Sequence, residues 1–304
     1  MDPLIAFFAQ ALRISVPYAF AAIGACWSER TGVVNIALEG ILLNGAFGAA
    51  VTTLATGSAW IGLLGGLCAG LLTAALHAAV TVTGRADQIV SGLAINIASL
   101  GATRMGLKAL FGSSSNSPRI PGLPSPSAGG PFGSLAEVLG HPLFLSVLAA
   151  GAVSTWVIFR TGWGLGMRAA GEDPEAADAA GFSVARLRWT GVLASGLLGG
   201  FGGAWLAFHQ HSFTEGMSAG RGYIALAAMI VGKWTPWGAA AACLLFGGAE
   251  ALQLRVHSEA VPTQLLQALP YLLTMIVLVL WVGRADAPAA VGRPYDRGGH
   301  GGSS

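Results

Sequence analysis

The feature that most limits what this chain can fold into is a succession of apolar segments, each about as long as a membrane is thick. They lie at about 4–26, 33–55, 59–83, 88–111, 142–160, 189–208, 237–254 and 265–283, with a shorter one at 222–233. A membrane-spanning helix needs about 20 predominantly apolar residues. Only 10% of the residues are charged, whereas a soluble domain has about 25%. The sequence therefore predicts an all-α, polytopic transmembrane helical bundle of about eight or nine spans.

Arginine placement predicts the orientation of the bundle. The loop 160–188 contains four arginines, and the segment after Trp281 contains three more. Because cytoplasmic loops are enriched in Lys and Arg, both regions are expected in the cytoplasm. Both assignments hold only if segment 222–233 crosses the membrane as a ninth span. Its short length by itself fits either a tilted short span or a re-entrant half-helix. The sequence leaves these two possibilities open.

The sequence predicts a transmembrane domain at 1–285 and a tail at 286–304. Within the first, 112–141 is predicted as a loop because it is rich in Ser, Pro and Gly, and the orientation set by the arginines places it outside. Segment 166–188 is predicted as a cytoplasmic loop. The Gly-rich tail is predicted to be a disordered cytoplasmic extension. Small residues repeat at helical spacing, as at Gly62, Gly66, Gly70, Gly196 and Gly200, which favours close helix packing within the subunit or across a dimer.

The loop 166–188 has the pattern of a short helix at the cytoplasmic membrane surface. Asp173 suits an N-cap, Pro174 the first turn, and Glu175 the positive end of the helix dipole. Gly181 suits the position just after the end of the helix. Alanines between these residues give a small, smooth surface. Such a surface fits docking against another protein, and a simple connecting helix is the alternative.

Four stretches of the chain carry a family resemblance. They are Glu29–Gly40 (ERTGVVNIALEG), Ala86–Gly92 (ADQIVSG), the loop 171–181 and Pro270–Thr274 (PYLLT). Together they resemble the permease subunits of ABC importers for nucleosides and simple sugars, within the branched-chain amino acid and ribose permease superfamily. The first stretch is more similar to the nucleoside branch than to the others.

The resemblance implies a type II-like ABC importer permease in the bacterial inner membrane. The expected partners are an ABC ATPase subunit, a second permease subunit forming a heterodimer, and an external substrate-binding protein or lipoprotein. The short cytoplasmic helix then matches the coupling helix that docks on the ATPase. The coupling residues expected on this basis are Gly171, Glu172, Asp173, Pro174, Glu175, Ala176, Ala177 and Gly181.

Glu39 stands out because a carboxylate within a membrane segment is costly and usually has a function. One reading is structural, with the carboxylate fixing a broken region near Gly40. The other places Asn35, Glu39 and Asn96 along the substrate pathway, where they would contact an uncharged nucleoside. Asn35 and Glu39 are four residues apart and are expected to share one helix face.

Several functions are disfavoured by the sequence. The only Gly-Lys pair, Gly232–Lys233, has no glycine-rich phosphate loop before it, so no ATPase site is expected in this chain. The three cysteines are far apart, and no metal or cofactor is expected. A net charge of +2 gives no indication of nucleic acid binding. Simple sugars or a riboflavin-like cargo remain alternatives, as does a proton-coupled secondary transporter using Glu39 and Glu250.

Overall fold

The computed structural model describes residues 3–126, 132–255, 272 and 287–296, and this part of the chain is almost entirely helical. Its helices are α1 (Pro3–Glu29), α2 (Leu38–Thr56), α3 (Ala59–Ala78), α4 (Gln88–Phe111), α5 (Gly133–Leu139), α6 (Pro142–Arg160), α7 (Gly162–Glu172), α8 (Pro174–Ala179), α9 (Val184–Gln210), α10 (Arg221–Val231) and α11 (Pro236–Gln253). A π-helical turn at Ala79–Thr83 continues α3. Extended pairing in the described ranges is limited to one bridge between Asn116 and Thr214.

Five helices are long and apolar enough to cross a membrane: α1, α2, α3 with its π-helical turn, α6 and α9. Two predicted segments, 88–111 and 142–160, coincide with α4 and α6. The short segment 222–233 forms α10, which has 11 residues. The predicted span 265–283 lies outside the described residues except for Leu272, so the count of eight or nine spans stays a prediction.

Glycines let the central helices approach closely, and they do so within one subunit. A Cβ atom on Gly70 of α3 would lie 2.4 Å from the Gly196 carbonyl oxygen of α9. A Cβ atom on Gly66 would lie 2.9 Å from the Gly45 carbonyl oxygen of α2. Close backbone contact of this kind is the usual way that helices associate in lipid. The predicted glycine repeat therefore packs α3 against α2 and α9.

One end of the bundle, which we call the basic end, gathers the α1–α2 turn, the start of α9 and the end of α10. Arg30 donates from Nε to the Trp234 carbonyl oxygen at 3.0 Å. Trp234 donates from Nε1 to Glu29 Oε2 at 2.6 Å. Burial is the main cause that lowers the pKa of the Arg30 guanidinium. The contacts fix the last residues of α1 to the turn that follows α10.

The C-terminal segment 287–296 lies against the basic end with defined contacts. Ala290 donates its backbone N–H to the Gly171 carbonyl oxygen at 2.8 Å, and Gly292 donates to the Gly32 carbonyl oxygen at 3.1 Å. Arg188 NH1 donates to the Arg293 carbonyl oxygen at 2.8 Å. The prediction that the whole tail from 286 to 304 is disordered is wrong for these ten residues, because backbone hydrogen bonds to neighbouring loops hold them.

The segment 211–220, between α9 and α10, leaves the helical pattern and runs into the depth of the bundle. It begins beside the 112–126 loop, where Ser117 donates its N–H to the Phe213 carbonyl oxygen at 2.8 Å. Further on, a Cβ atom on Gly216 would lie 3.8 Å from Leu100, which is near the middle of α4. The segment ends at Gly220, next to Glu39. It therefore reaches the interior without forming a helix.

Candidate functional site

The Glu39 carboxylate holds the start of α10. Its Oε1 accepts the Gly220 backbone N–H and its Oε2 accepts the Gly222 backbone N–H, both at 2.7 Å. A Cβ atom on Gly222 would lie 2.4 Å from the Glu39 nitrogen, so the two helix starts are in close contact. A helix leaves its first N–H groups without partners, and a carboxylate there is stabilised by the helix dipole. The geometry agrees with the structural reading of Glu39, and both of its oxygens are engaged.

This contact lies in the depth of the bundle, away from the basic end. Arg221, the first residue of α10, stands 6.0 Å from the Tyr18 ring of α1. Tyr18 precedes Glu29, at the basic end of α1, by a distance of about 16 Å at about 1.5 Å per residue. A bilayer core is about 30 Å thick. The junction of α2 and α10 is therefore about half a bilayer from the basic end.

Asn96 of α4 connects the same junction to a third helix. Its Oδ1 accepts the Gly40 backbone N–H at 2.8 Å, which caps the first turn of α2. Its Nδ2 donates to the Ile36 carbonyl oxygen at 2.9 Å and to the Tyr223 hydroxyl at 3.0 Å. The Asn96 side chain is 8% exposed. It acts here as a clamp between α2, α4 and α10.

Asn35 does not join Glu39 and Asn96. It lies in the non-helical stretch before α2, so the expectation that Asn35 and Glu39 share one helix face is wrong. Asn35 is fully buried, and its Nδ2 donates to Ser195 Oγ of α9 at 2.7 Å. Asn35 Oδ1 has no hydrogen-bond partner among the described residues. Helix α2 begins at Leu38, later than the apolar pattern predicts, because residues 33–37 form a non-helical stretch before it.

A charged cluster lies on the other side of α10. Arg221 NH2 pairs with Glu250 Oε1 of α11 at 3.2 Å, and the Tyr18 hydroxyl donates to Glu250 Oε2. Arg221 and Glu250 are part of the wall of a cavity of about 500 Å³. The cavity is lined by Ala6, Ala9, Gln10, Arg13, Ile14, Pro17, Ser134, Trp205, Leu206, His209, Arg221, Glu250, Leu254 and Arg255. A half-buried carboxylate is thus balanced by a guanidinium and a phenol, which offsets the cost of an isolated charge.

The short helix predicted within the loop 166–188 is present as α8. Asp173 caps it, since its Oδ1 accepts the backbone N–H groups of Glu175 at 3.1 Å and Ala176 at 3.0 Å. Pro174 occupies the first turn. Gly181 follows the helix with a φ of +90°, a conformation that residues other than glycine rarely adopt. The capping pattern found in the sequence is confirmed.

The residues of this coupling segment differ in exposure. Glu172, Asp173, Glu175, Ala176 and Gly181 are exposed, whereas Pro174 is half-buried.

Two of the residues predicted for coupling face their own subunit. Ala177 is 1% exposed. Gly171 is buried against the α1–α2 turn, where a Cβ atom would lie 2.4 Å from the Arg30 carbonyl oxygen. Neither residue is accessible to a partner protein. The sequence pattern did not distinguish the buried side of so short a helix, because alanines occupy both of its faces.

Tyr223 and Arg221 were not predicted from the sequence as site residues. Tyr223 lies in the first turn of α10 and is 43% exposed, and its hydroxyl accepts a hydrogen bond from Asn96. Arg221 begins α10 and was not singled out as the partner of Glu250. Available signals were the glycines at 216, 220 and 222 and the arginine inside an otherwise apolar region. A charge within such a region is expected to pair inside the bundle.

An all-helical bundle with capped helix breaks and paired charges at mid-depth is a multi-pass membrane transport protein. The chain matches the family described as the branched-chain amino acid transport system permease component over residues 7–280, and it belongs to that family. It is accordingly a permease subunit, which is not itself an enzyme, in the bacterial cytoplasmic membrane. No solved structure matches the chain.

Three relatives cover nearly the whole chain. It is 38% identical to the guanosine ABC transporter permease protein NupQ of Bacillus subtilis, covering 94% of this chain and 95% of that protein. It is also 38% identical to the nucleoside ABC transporter permease protein NupC of Lactococcus lactis, with the same coverage. The putative glucose ABC transporter permease protein TsgC13 of Haloferax volcanii is 33% identical over 91% of this chain and 93% of its own length.

Proposed function

We propose that this chain is one of two permease subunits of an ATP-driven importer of nucleosides, working by alternating access. The observation that carries the proposal is its 38% identity, over nearly full length, to permeases named for guanosine and for nucleosides. The chemistry at mid-depth is compatible with this cargo. The charges there are paired and the amides are engaged, so the site suits an uncharged polar solute better than an ion.

Cargo is tested by uptake in cells that lack other nucleoside transporters and express the complete system. We expect accumulation of labelled guanosine, competed by unlabelled nucleosides and not by glucose. Uptake of glucose without guanosine would overturn the nucleoside assignment. A sugar is the second candidate because of the likeness to the Haloferax volcanii protein.

Energy is proposed to come from a separate ATPase subunit that docks on α8. Support comes from the exposed small surface formed by Ala176, Ala179 and Ala180 next to the exposed Glu175. Ala176→Arg is expected to reduce recovery of the ATPase with the purified permease, because a long charged side chain would separate the surfaces. Ser115→Arg, which is exposed in the 112–126 loop, is the control. Equal ATPase recovery with both variants would contradict docking on α8.

A second permease and an external binding protein complete the proposed system. Purification of the tagged chain in mild detergent is expected to recover the ATPase and a second permease. The basic end is proposed to face the cytoplasm, with about nine crossings in total. The arginine content of loop 160–188 supports this orientation. Recovery of a homo-oligomer without any ATPase, from membranes that contain the motor, would contradict the assembly.

The proton-coupled alternative has less support. Glu39 is bound by two backbone N–H groups, and Glu250 is bound by Arg221 and Tyr18. Neither carboxylate is arranged as a free relay group. Uptake that persists in the presence of an uncoupler, while ATP is high, is the expected result. Loss of uptake under those conditions would favour proton coupling.

A further inference from the structure

The break before α10 is open on one side at mid-depth. Gly216, Ala219 and Gly220 have φ values of +63°, +47° and +83°, so the backbone there is far from helical. Ala219 is exposed, and Gly216 lies beside Leu100, which is 45% exposed. We call the surface formed by Leu100, Gly216, Ala219 and Tyr223 the open face.

Irregular backbone at this depth restricts what the open face can contact. Lipid cannot satisfy free N–H and C=O groups, and non-helical backbone in a membrane is tolerated only where protein covers it or water lines it. The open face therefore does not face lipid. It is either covered by protein or lined by water, and a pathway between two permease subunits would provide such a setting.

Tyr223 is the aromatic side chain of the open face. Its ring is 43% exposed, while its hydroxyl accepts a hydrogen bond from Asn96 Nδ2 at 3.0 Å. Asn96 is itself fixed by Gly40 and Ile36. The hydrogen bond fixes one end of the phenol and so restricts the orientations of its ring. A ring held in this way loses little entropy when a flat ligand stacks on it.

We propose that Tyr223 is a stacking platform for the base of a nucleoside passing along the open face. This site rests on the proposed function for its cargo, and on the geometry of the break for its position. Aromatic side chains stack on every base because each base has a flat π-surface.

Cysteine accessibility in the assembled importer tests the location. In a Cys68→Ala background, where Cys26 and Cys243 are buried, Tyr223→Cys is expected to react with a membrane-impermeant methanethiosulfonate reagent. Guanosine should slow this reaction. Leu72→Cys is the control, because Leu72 is 72% exposed on the regular helix α3 and is expected to face lipid without reacting.

Each outcome of the labelling is decisive. An unreactive Tyr223→Cys would overturn the aqueous position of the open face. A reactive cysteine that guanosine does not protect would overturn the platform. If the wild-type complex imports glucose and not guanosine, the proposed cargo fails, and the labelling still reports whether the open face is wet.

Substitutions that keep or remove the ring test the stacking. Tyr223→Phe keeps the aromatic surface and is expected to retain KM for guanosine within about threefold. Tyr223→Leu keeps volume without a flat ring and is expected to raise KM by about tenfold or more, in line with typical base–aromatic stacking. Equal KM values for the two variants, at equal amounts of protein in the membrane, would refute stacking.

Discussion

Replacement of Glu39 tests the central contact of the fold. Its carboxylate accepts two backbone N–H groups, from Gly220 and Gly222, at 2.7 Å each. A hydrogen bond to a charged group contributes about 1.5–3 kcal/mol. Because Glu39 is only half-buried, the lower value applies to each bond. Glu39→Ala is therefore expected to reduce the free energy of unfolding by about 3 kcal/mol.

Glu39→Gln separates charge from shape. The amide keeps one acceptor oxygen, and its NH2 group then faces a backbone N–H donor. We expect it to lose at least one bond, about 1.5 kcal/mol, although its size is nearly unchanged. Stability is measured by reversible denaturant titration of the purified protein in mixed micelles.

The control for this series is Glu215→Gln. Glu215 pairs with Arg104 at 3.3 Å, but the Arg104 side chain is 63% exposed. Exposed ion pairs typically contribute less than about 1 kcal/mol. A loss below about 1 kcal/mol for Glu39→Ala, equal to that of the control, would refute the argument that the carboxylate holds α10.

Three further predictions concern packing, pH and the C-terminal segment. Gly70→Ala is expected to lower the free energy of unfolding by about 1–3 kcal/mol, because the new Cβ atom would meet the Gly196 carbonyl oxygen. Gly101→Ala is the control, since Gly101 has open space around it, and it should be neutral or stabilising in the same denaturant titration. Burial, with the nearby His209, lowers the pKa of His141 to about 4, and its Nδ1 caps α6. The folded pKa is below the unfolded value of about 6.5, so stability present above pH 6.5 should be lost as pH falls toward 4, and His141→Asn should remove that part of the pH profile. Deletion of 287–304 should lower uptake, because it removes the contact with Gly171, while the amount of protein in the membrane stays the same. Unchanged uptake would show that this contact is dispensable.

Local patterns in the sequence predicted the local structure well. The caps at Asp173 and Gly181 follow from backbone geometry within a few residues, and α4 and α6 begin and end where charges and prolines interrupt apolar runs. Such signals act over one helical turn. They therefore need no knowledge of which helices are neighbours.

The candidate site was harder to predict, because its contacts join distant residues. Glu39 meets Gly220 across 181 positions, and Asn96 meets Tyr223 across 127. The polar side chains of Glu39 and Asn96 marked them as candidate site residues. The sequence did not show that these side chains bind the backbone of neighbouring helices. Asn35 was misplaced because the start of α2 depends on packing against α9 rather than on its own apolar pattern.

The contacts connect the coupling segment to the open face through one short rigid element. Gly171 packs on the Arg30 carbonyl, and Arg30 in turn donates to the Trp234 carbonyl that follows α10. Helix α10 spans only 11 residues, and Glu39 holds its other end at mid-depth. A helix of this length transmits displacement along its axis, since its internal hydrogen bonds resist compression. A shift of the basic end would therefore be transmitted to the break, where Glu39 holds Gly220 and Gly222.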